Sequence, residues 1–357
     1  MDIVIKSLEV KFMGKIKFGI IGCGLISNWH ADAILKIDEA ELIGATDVSE
    51  KSRKAFSEKY KINAYNSVEE LLASDVDVVS ICTPSGLHAP LAVKVANAGK
   101  HIIVEKPMAI TLEQADEIIE ACEKNGVKAS IISQMRFTPA LQKLKKAVDS
   151  NLLGKLVSGD MYMKFFRSQE YYDQSGWRGT WKMDGGGALM NQGIHGVDLL
   201  CYVMGPVKTV HGFTRTLARK IEVEDTAAAI LEYANGALGV IQGTTSIYPG
   251  LPRKLEVSGD KGTIILEEDS IAKWCIEGQE APYDVNSGVY TNKSANDPAA
   301  FGIEGHVMQI KDMVDAIKNN RRPLVDQYEG RKPVELILAI YESSKTGKTI
   351  ELMKSIK

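Results

Sequence analysis

One short turn constrains this chain more than any other feature. The β-branched run Ile16–Gly22 leads into Gly22-Cys23-Gly24-Leu25-Ile26-Ser27, and a helix-like stretch, Leu25–Ile37, follows. A strand that stops at Gly-x-Gly and turns at once into a helix suits the first βα unit of a doubly wound sheet. Gly22 permits the tight turn, and Gly24 lets the backbone approach a pyrophosphate. The helix start at Leu25 and Ile26 offers N–H groups and a positive dipole end to that anion. Ser27 stands where G-x-G-x-x-G has its third glycine, and it is small enough for close helix–strand packing. Alone, the pattern is weak evidence, since a plain tight βα turn also fits it, so the surrounding sequence must decide.

The surroundings agree. Apolar runs recur at Glu41–Asp47, Val76–Thr83, His101–Lys106 and Lys128–Gln134. Helical candidates Ser49–Tyr60, Leu87–Ala98 and Leu112–Lys124 separate them. Val76–Thr83 and His101–Glu105 are nearly continuous apolar runs, as strands buried on both faces of a parallel sheet require. Thr111 and Gln114 form a capping box, and Gly99 and Gly126 close their helices. The expectation is an α/β Rossmann-type, doubly wound domain over 15–135. Asp47 ends the second strand, where a carboxylate can accept both adenosine ribose hydroxyls and repel a 2′-phosphate. The next basic residues, Lys51 and Arg53, lie a turn further on. NAD is therefore expected over NADP. Asp47 would serve equally as a cap for Ser49–Tyr60, and both roles can hold together.

Beyond residue 136 the pattern changes. A helix, Ala140–Asp149, precedes a long strand, Lys155–Phe166, and a Gly-led helix, Gly185–Met204. Strand after strand then runs to about 277. Asn235-Gly236 joins Ala227–Tyr233 to Ala237–Thr245, a strong hairpin signal. Gly259–Gly262 joins Arg253–Ser258 to Thr263–Glu267. Residues 278–300 read as a long excursion, and helices at about 304–319 and 331–345 close the chain. The second domain, 136–357, is expected to be α+β with a large open, mainly antiparallel sheet. Residues 1–14 read as an extra N-terminal arm outside the fold.

Composition removes several classes of function. A net charge of −3 gives no reason to expect nucleic acid or an acidic membrane as partner. No apolar run reaches the roughly 18–20 residues of a membrane span. Five scattered cysteines without C-x-x-C argue against a disulfide framework and a zinc site, so no metal is expected and a cytoplasmic setting is.

Two segments carry the chemistry. Glu105-Lys106-Pro107 ends the fifth strand, where side chains reach the ligand crevice of such sheets. A lysine there can bind a substrate oxygen and stabilise developing negative charge. Pro107 biases Lys106 toward extended backbone and allows a cis bond. In Gly185-Gly186-Gly187-Ala188-Leu189-Met190-Asn191-Gln192-Gly193-Ile194-His195, a regular helix would put Asn191 and His195 on one face, with Asp198 three residues further. Gly193 and Gly196 suggest that another surface packs closely there. An imidazole can accept a hydroxyl proton near neutral pH. A buried structural histidine bonded to Asp198 fits the same residues. Tyr341 and Lys345 match Y-x-x-x-K, but they lie far from the nucleotide-binding half and read as an exposed helix face.

Four ordered features, GCGLIS (22–27), CTPSGLHAP (82–90), EKP (105–107) and GGGALMNQGIHGVDLL (185–200), resemble the glucose–fructose oxidoreductase, inositol dehydrogenase and rhizopine-catabolism (Gfo/Idh/MocA) family. The resemblance runs from about Lys15 to the end. It implies hydride transfer between NAD and a secondary hydroxyl carbon of a sugar, cyclitol or sugar acid, with Lys106 and His195 as the catalytic pair. It implies Thr83, Pro84, His88, Glu105 and Lys106 near the cofactor, with Trp177 and Arg178 at the rim. It also implies a homodimer or homotetramer formed through the second sheet. Many sugar dehydrogenases of the family have Asp-x-x-x-His where this chain has Asn191-x-x-x-His195. An amide can orient the histidine or bind substrate, but it cannot polarise the ring as a carboxylate does. The Asn-Gln-Gly-Ile-His form resembles nucleotide-sugar 3-dehydrogenases of the UDP-N-acetylglucosaminuronate type. Candidate substrate contacts are Arg136, Tyr162, Arg167, Trp177, Arg178, Asn191, His195 and Tyr248. Arg136 and Arg167 suit a carboxylate or phosphate. A non-catalytic nucleotide-binding sensor on this fold would be expected to lack the lysine or the histidine, and both are present.

Overall fold

The computed structural model describes residues 14–282, 296 and 302–352. Residues 1–13 of the expected arm and most of the 278–300 excursion lie outside the described residues. The first sheet is parallel, with strands β1 (Ile16–Ile21), β2 (Ala40–Thr46), β3 (Asn63–Tyr65), β4 (Val78–Ile81), β5 (His101–Val104) and β6 (Ala129–Ile131). Their order is β3-β2-β1-β4-β5-β6. The order reverses between β1 and β4, so a crevice opens at the carboxyl ends of those strands. Helices α1 (Leu25–Ile34), α2 (Glu50–Tyr60), α3 (Val68–Leu72), α4 (His88–Asn97) and α5 (Leu112–Asn125) connect the strands. The start of α5 follows its sequence signal. Thr111 Oγ1 accepts from Gln114 N at 3.2 Å, and Gln114 Oε1 accepts from Ile110 N at 3.3 Å. Gly126 ends that helix at φ 63°, the left-handed stop expected of it. The strand Asn63–Tyr65 and helix Val68–Leu72 went unread in the sequence, because both are too short to show a period.

After α6 (Pro139–Asp149), β7 (Leu156–Lys164) opens the second sheet, followed by α7 (Gln169–Asp173) and α8 (Ile194–Met204). The remaining strands are β8 (Val207–Arg215), β9 (Thr226–Tyr233), β10 (Leu238–Thr244), β11 (Lys254–Gly259), β12 (Gly262–Glu267), β13 (Ser270–Ile276) and β14 (Ile350–Glu351). The eight strands run β13-β12-β11-β7-β10-β9-β8-β14, and every neighbour is antiparallel except the β7–β10 pair. Both predicted hairpins form, with Gly236 at φ 86° in the first. Helix α8 lies on the buried face of β7. A Cβ at Gly196 would strike the sulfur atoms of Met163 and Met161, so glycine there sets the helix–sheet spacing.

Two terminal helices, α9 (Glu304–Lys318) and α10 (Gln327–Thr346), complete the chain. Helix α9 returns to the first sheet. Its Ile310, Met313, Val314 and Ile317 share a core with Ile16, Phe18, Ile20 and Ile34. The two sheets are thereby tied at both ends of the chain, and one long cleft runs between them.

Candidate active site

The cleft has a volume of about 990 Å³ and joins the Gly22 turn at one end to Lys106 and His195 at the other. At the turn, Gly22 has φ 94°, and a Cβ there would sit 2.7 Å from Cys82 O, so no larger residue fits. Gly24 is different. Among the described residues nothing lies within 4 Å of where its Cβ would be, which leaves space for a ligand. No side chain caps α1 at Gly24, and its first turn has no acidic residue. That helix start is a ready site for a diphosphate.

Asp47 is fixed from two sides. Its Oδ2 accepts from Cys23 N and its Oδ1 from Ser49 N, both at 2.7 Å. It thus ties the Gly-x-Gly turn to the loop after β2, and its oxygens keep lone pairs for a ribose. The helix cap is Ser49, whose Oγ accepts from Ser52 N. Arg53 is buried and spent on the loop: Nη1 donates to Asp47 O at 2.9 Å and Nη2 to Asn66 Oδ1 at 3.1 Å. It is not presented to a 2′-phosphate. These residues fit NAD.

At the other end, Lys106 Nζ donates to the backbone carbonyl of Asn191 at 2.8 Å. The Lys106-Pro107 bond is cis. Burial holds the lysine below its ordinary pKa, opposed by the charges of Glu105 and Asp184. His195 lines the cleft and is 9% exposed. Burial and the Lys106 cation hold its ring well below the usual histidine value, so it is a neutral imidazole at physiological pH. Behind Lys106, Glu105 Oε2 accepts from Lys106 N at 3.1 Å. Glu105 Oε1 meets His30 Nε2 at 2.9 Å and lies 3.6 Å from His306 Nε2. Both rings hold this buried carboxyl well below the usual range despite its burial. The cluster joins α1, β5 and α9 directly behind the lysine.

Residues 16–133 match the oxidoreductase family with an NAD-binding Rossmann fold, and residues 141–265 match the GFO/IDH/MocA C-terminal domain. This chain belongs to the GFO/IDH/MocA oxidoreductase family. It is an NAD-dependent oxidoreductase. It is similar to the WlbA dehydrogenase of Bordetella pertussis, solved in complex with NADH and UDP-GlcNAcA. The two are 34% identical over 96% of this chain and 99% of that one, with a TM-score of 0.88. The WlbA enzyme of Chromobacterium violaceum, also solved with NADH and UDP-GlcNAcA, is 35% identical over 96% and 97%, with a TM-score of 0.86. Myo-inositol 2-dehydrogenase of Thermotoga maritima is 26% identical over 96% of this chain and its own full length.

Within this GFO/IDH/MocA oxidoreductase, Gly22, Gly24, Leu25, Ile26, Asp47, Thr83, Pro84, Glu105, Lys106, Arg167, Trp177, Arg178, Asn191 and His195 all border the cleft. Four expected contacts do not. Arg136 is fully buried: its Nε and Nη2 donate to Asp198 at 2.8 and 2.6 Å, and Nη1 donates to Glu329 at 2.9 Å. It is a core cation and not a substrate contact. The same pairing takes Asp198 away from His195. Tyr162 falls on the outer face of β7 because its neighbours Met161 and Met163 point inward. It stacks there against Lys164 and Lys254. His88 stands behind the wall, with its ring nitrogens facing Pro107 O at 2.6 Å and Thr83 O at 2.8 Å. It holds the loop after β4 to the turn after β5. Tyr248 is 79% exposed and meets the edge of Phe166.

The expected helix over Gly185–Met204 also changes. Ala188–Gly193 is a π-helical turn, and the α-helix begins only at Ile194. Its wider turn breaks the i,i+4 relation between Asn191 and His195. The Asn191 amide instead donates to Asp184 Oδ1 and accepts from Gln192 Nε2. Gln192 Oε1 in turn accepts from Arg167 Nε at 3.1 Å, and Gln192 Nε2 donates to Tyr171 Oη. Glu224 seats the turn: its carboxylate accepts from Gly187 N and Leu189 N at 2.9 Å and from Tyr341 Oη at 2.8 Å. Tyr341 is therefore an inward-facing anchor, while Lys345 is exposed. Asp184, Gln192, Tyr171 and Glu224 were missed because no spacing in the sequence points to them.

Proposed function

We propose that this enzyme oxidises a ring hydroxyl of an acidic sugar, carried as a nucleotide sugar, with Lys106 and His195 at the reacting centre. The observation that carries this reading is one cleft holding the Asp47 end, Lys106, His195 and the cations Arg167 and Arg178. Bound NAD supplies the hydride acceptor. Gly22, Gly24, the start of α1 and Asp47 would hold it. Lys106 donates a hydrogen bond to the substrate oxygen and stabilises its charge as the carbonyl forms. His195, already neutral, takes the hydroxyl proton at its ring nitrogen. Arg167, which also donates to Gln192 Oε1 and Phe166 O, and Arg178 bring positive charge to the cleft for a carboxylate or phosphate. Likeness to two enzymes solved with UDP-GlcNAcA supports the nucleotide-linked acid over a free polyol.

NADH formation across UDP-N-acetylglucosaminuronate, glucuronate, glucose, myo-inositol and scyllo-inositol tests the reading. The nucleotide sugar acid is expected to give the highest kcat/KM. Lys106→Ala and His195→Ala each lower it at least about a hundredfold. Near-native rates in both variants would refute the assigned centre, and preference for a free cyclitol would refute the substrate class.

A further inference from the structure

Asp184 is 1% exposed and lies in the loop between α7 and the π-helical turn, outside every motif of the sequence. Its Oδ2 accepts from Gly179 N at 2.9 Å, and its Oδ1 accepts from the Asn191 side-chain amide. The carbonyl of that same Asn191 receives Lys106 Nζ at 2.8 Å. One residue therefore links a buried carboxylate to the lysine of the reacting centre. We propose that Asp184 is the positioning residue of this centre: it turns the Asn191 amide away from His195 and adds to Glu105 a second counter-charge for the Lys106 ammonium, joined to it through Asn191. In this chain the carboxylate absent from position 191 acts on the lysine and not on the histidine.

The charges around the pair are consistent with this role. Lys106 is faced by Glu105, Asp184, Arg167 and Arg178, and its cation also bears on His195. Glu105 is shared with His30 and His306. Of the carboxylates facing Lys106, Asp184 is the one joined to it through Asn191. Asp184 is faced in turn by Lys106, Arg178, Tyr171 and Tyr172. Burial lifts its carboxyl to about 6, and the contacts to Gly179, Asn191 and Lys106 oppose that rise. It is therefore largely ionised near neutral pH and loses its charge just below.

The proposal rests on Lys106 acting at the reacting centre, but its test needs no turnover. Competitive acetylation of the full chain by trace acetic anhydride, read by peptide mass spectrometry, reports the fraction of neutral Lys106 amine against pH. Asp184→Asn keeps the side-chain shape and removes the charge. It is expected to lower the Lys106 midpoint by about one pH unit, while Asp184→Glu keeps it close to wild type. By reciprocity, Lys106→Met raises the Asp184 carboxyl midpoint, followed by carbon NMR. This second measurement stands if Asp184→Asn fails to fold. An unmoved Lys106 midpoint in folded Asp184→Asn, or an unmoved Asp184 midpoint in Lys106→Met, overturns the proposal. Coupled midpoints in an enzyme that turns over no sugar would sink the function and leave the charge pairing standing.

Discussion

Asn191→Asp, which would create an Asp-x-x-x-His sequence, should damage this enzyme. In an Asp-x-x-x-His frame the new carboxylate would back His195 and strengthen it as a base. Here the side chain at 191 points elsewhere: its amide nitrogen donates to Asp184 and its oxygen accepts from Gln192 at 2.8 Å. An aspartate cannot donate to Asp184, so two carboxylates would meet in a buried site. Like charges that close cannot both ionise, and one takes up a proton at a raised pKa. The lost bond is charge-assisted, worth about 1.5–3 kcal/mol, or roughly ten- to a hundredfold in rate if it falls wholly on the reacting geometry. The sign with pH follows. At about pH 8 the pair is frustrated and kcat/KM drops at least about tenfold. Below about pH 6 a shared proton restores the bond, and the variant approaches wild type. The assay is initial NADH formation with the best panel substrate across that range. A faster variant whose acid limb moves upward would refute this reasoning, because the new aspartate would then be reaching His195.

Removing Arg136 tests its reassignment to the core. Arg136→Ala leaves Asp198 buried and unpaired at a cost of about 3–5 kcal/mol, a fall of about 4–7 °C in Tm, with substrate KM unchanged. The double change Arg136→Met with Asp198→Leu recovers most of the loss, whereas a raised KM with native Tm would restore Arg136 to the substrate site. Glu224 gives a stability signal of defined sign. Burial raises its carboxyl from 4.5 to about 7, so its contribution is fully present below about pH 4.5 and fades as pH rises through 7. Glu224→Gln cannot ionise, so urea unfolding should show the variant gaining on wild type between those limits, by about 3 kcal/mol at most; a constant difference would exclude the buried charge.

The fold was legible because its signals are local and repeated. Strands β4 and β5 are buried along nearly their whole length, and each was visible as a nearly continuous apolar run. Thr111, Gly126 and Gly236 each specify one backbone geometry, and each adopts it. The cofactor end was legible for the same reason, since Gly22, Gly24 and Asp47 act through the turn they build. What failed were inferences from chemistry without direction. Arg136 and Arg167 look alike as cations, yet one is enclosed by Asp198 and Glu329 and the other borders the cleft.

The segment 185–204 shows where a helical period stops being informative. The expected face shared by Asn191 and His195 assumed a single α-helix through 185–204. Glycines at 185, 186 and 187 remove side chains that would collide with Ile110, Tyr341 and the Glu224 backbone, and Glu224 then takes the freed N–H groups. With its first turn held by a side chain from another element, the segment adopts the wider π geometry, and position 191 rotates toward Asp184. That rotation depends on contacts between residues about 35 positions apart in sequence, such as Leu189 with Glu224, which no helical period encodes. The same displacement explains why asparagine serves at 191. A residue between a carboxylate and a glutamine amide must donate on one side and accept on the other; the Asn191 carboxamide does both, whereas an ionised aspartate there could only accept.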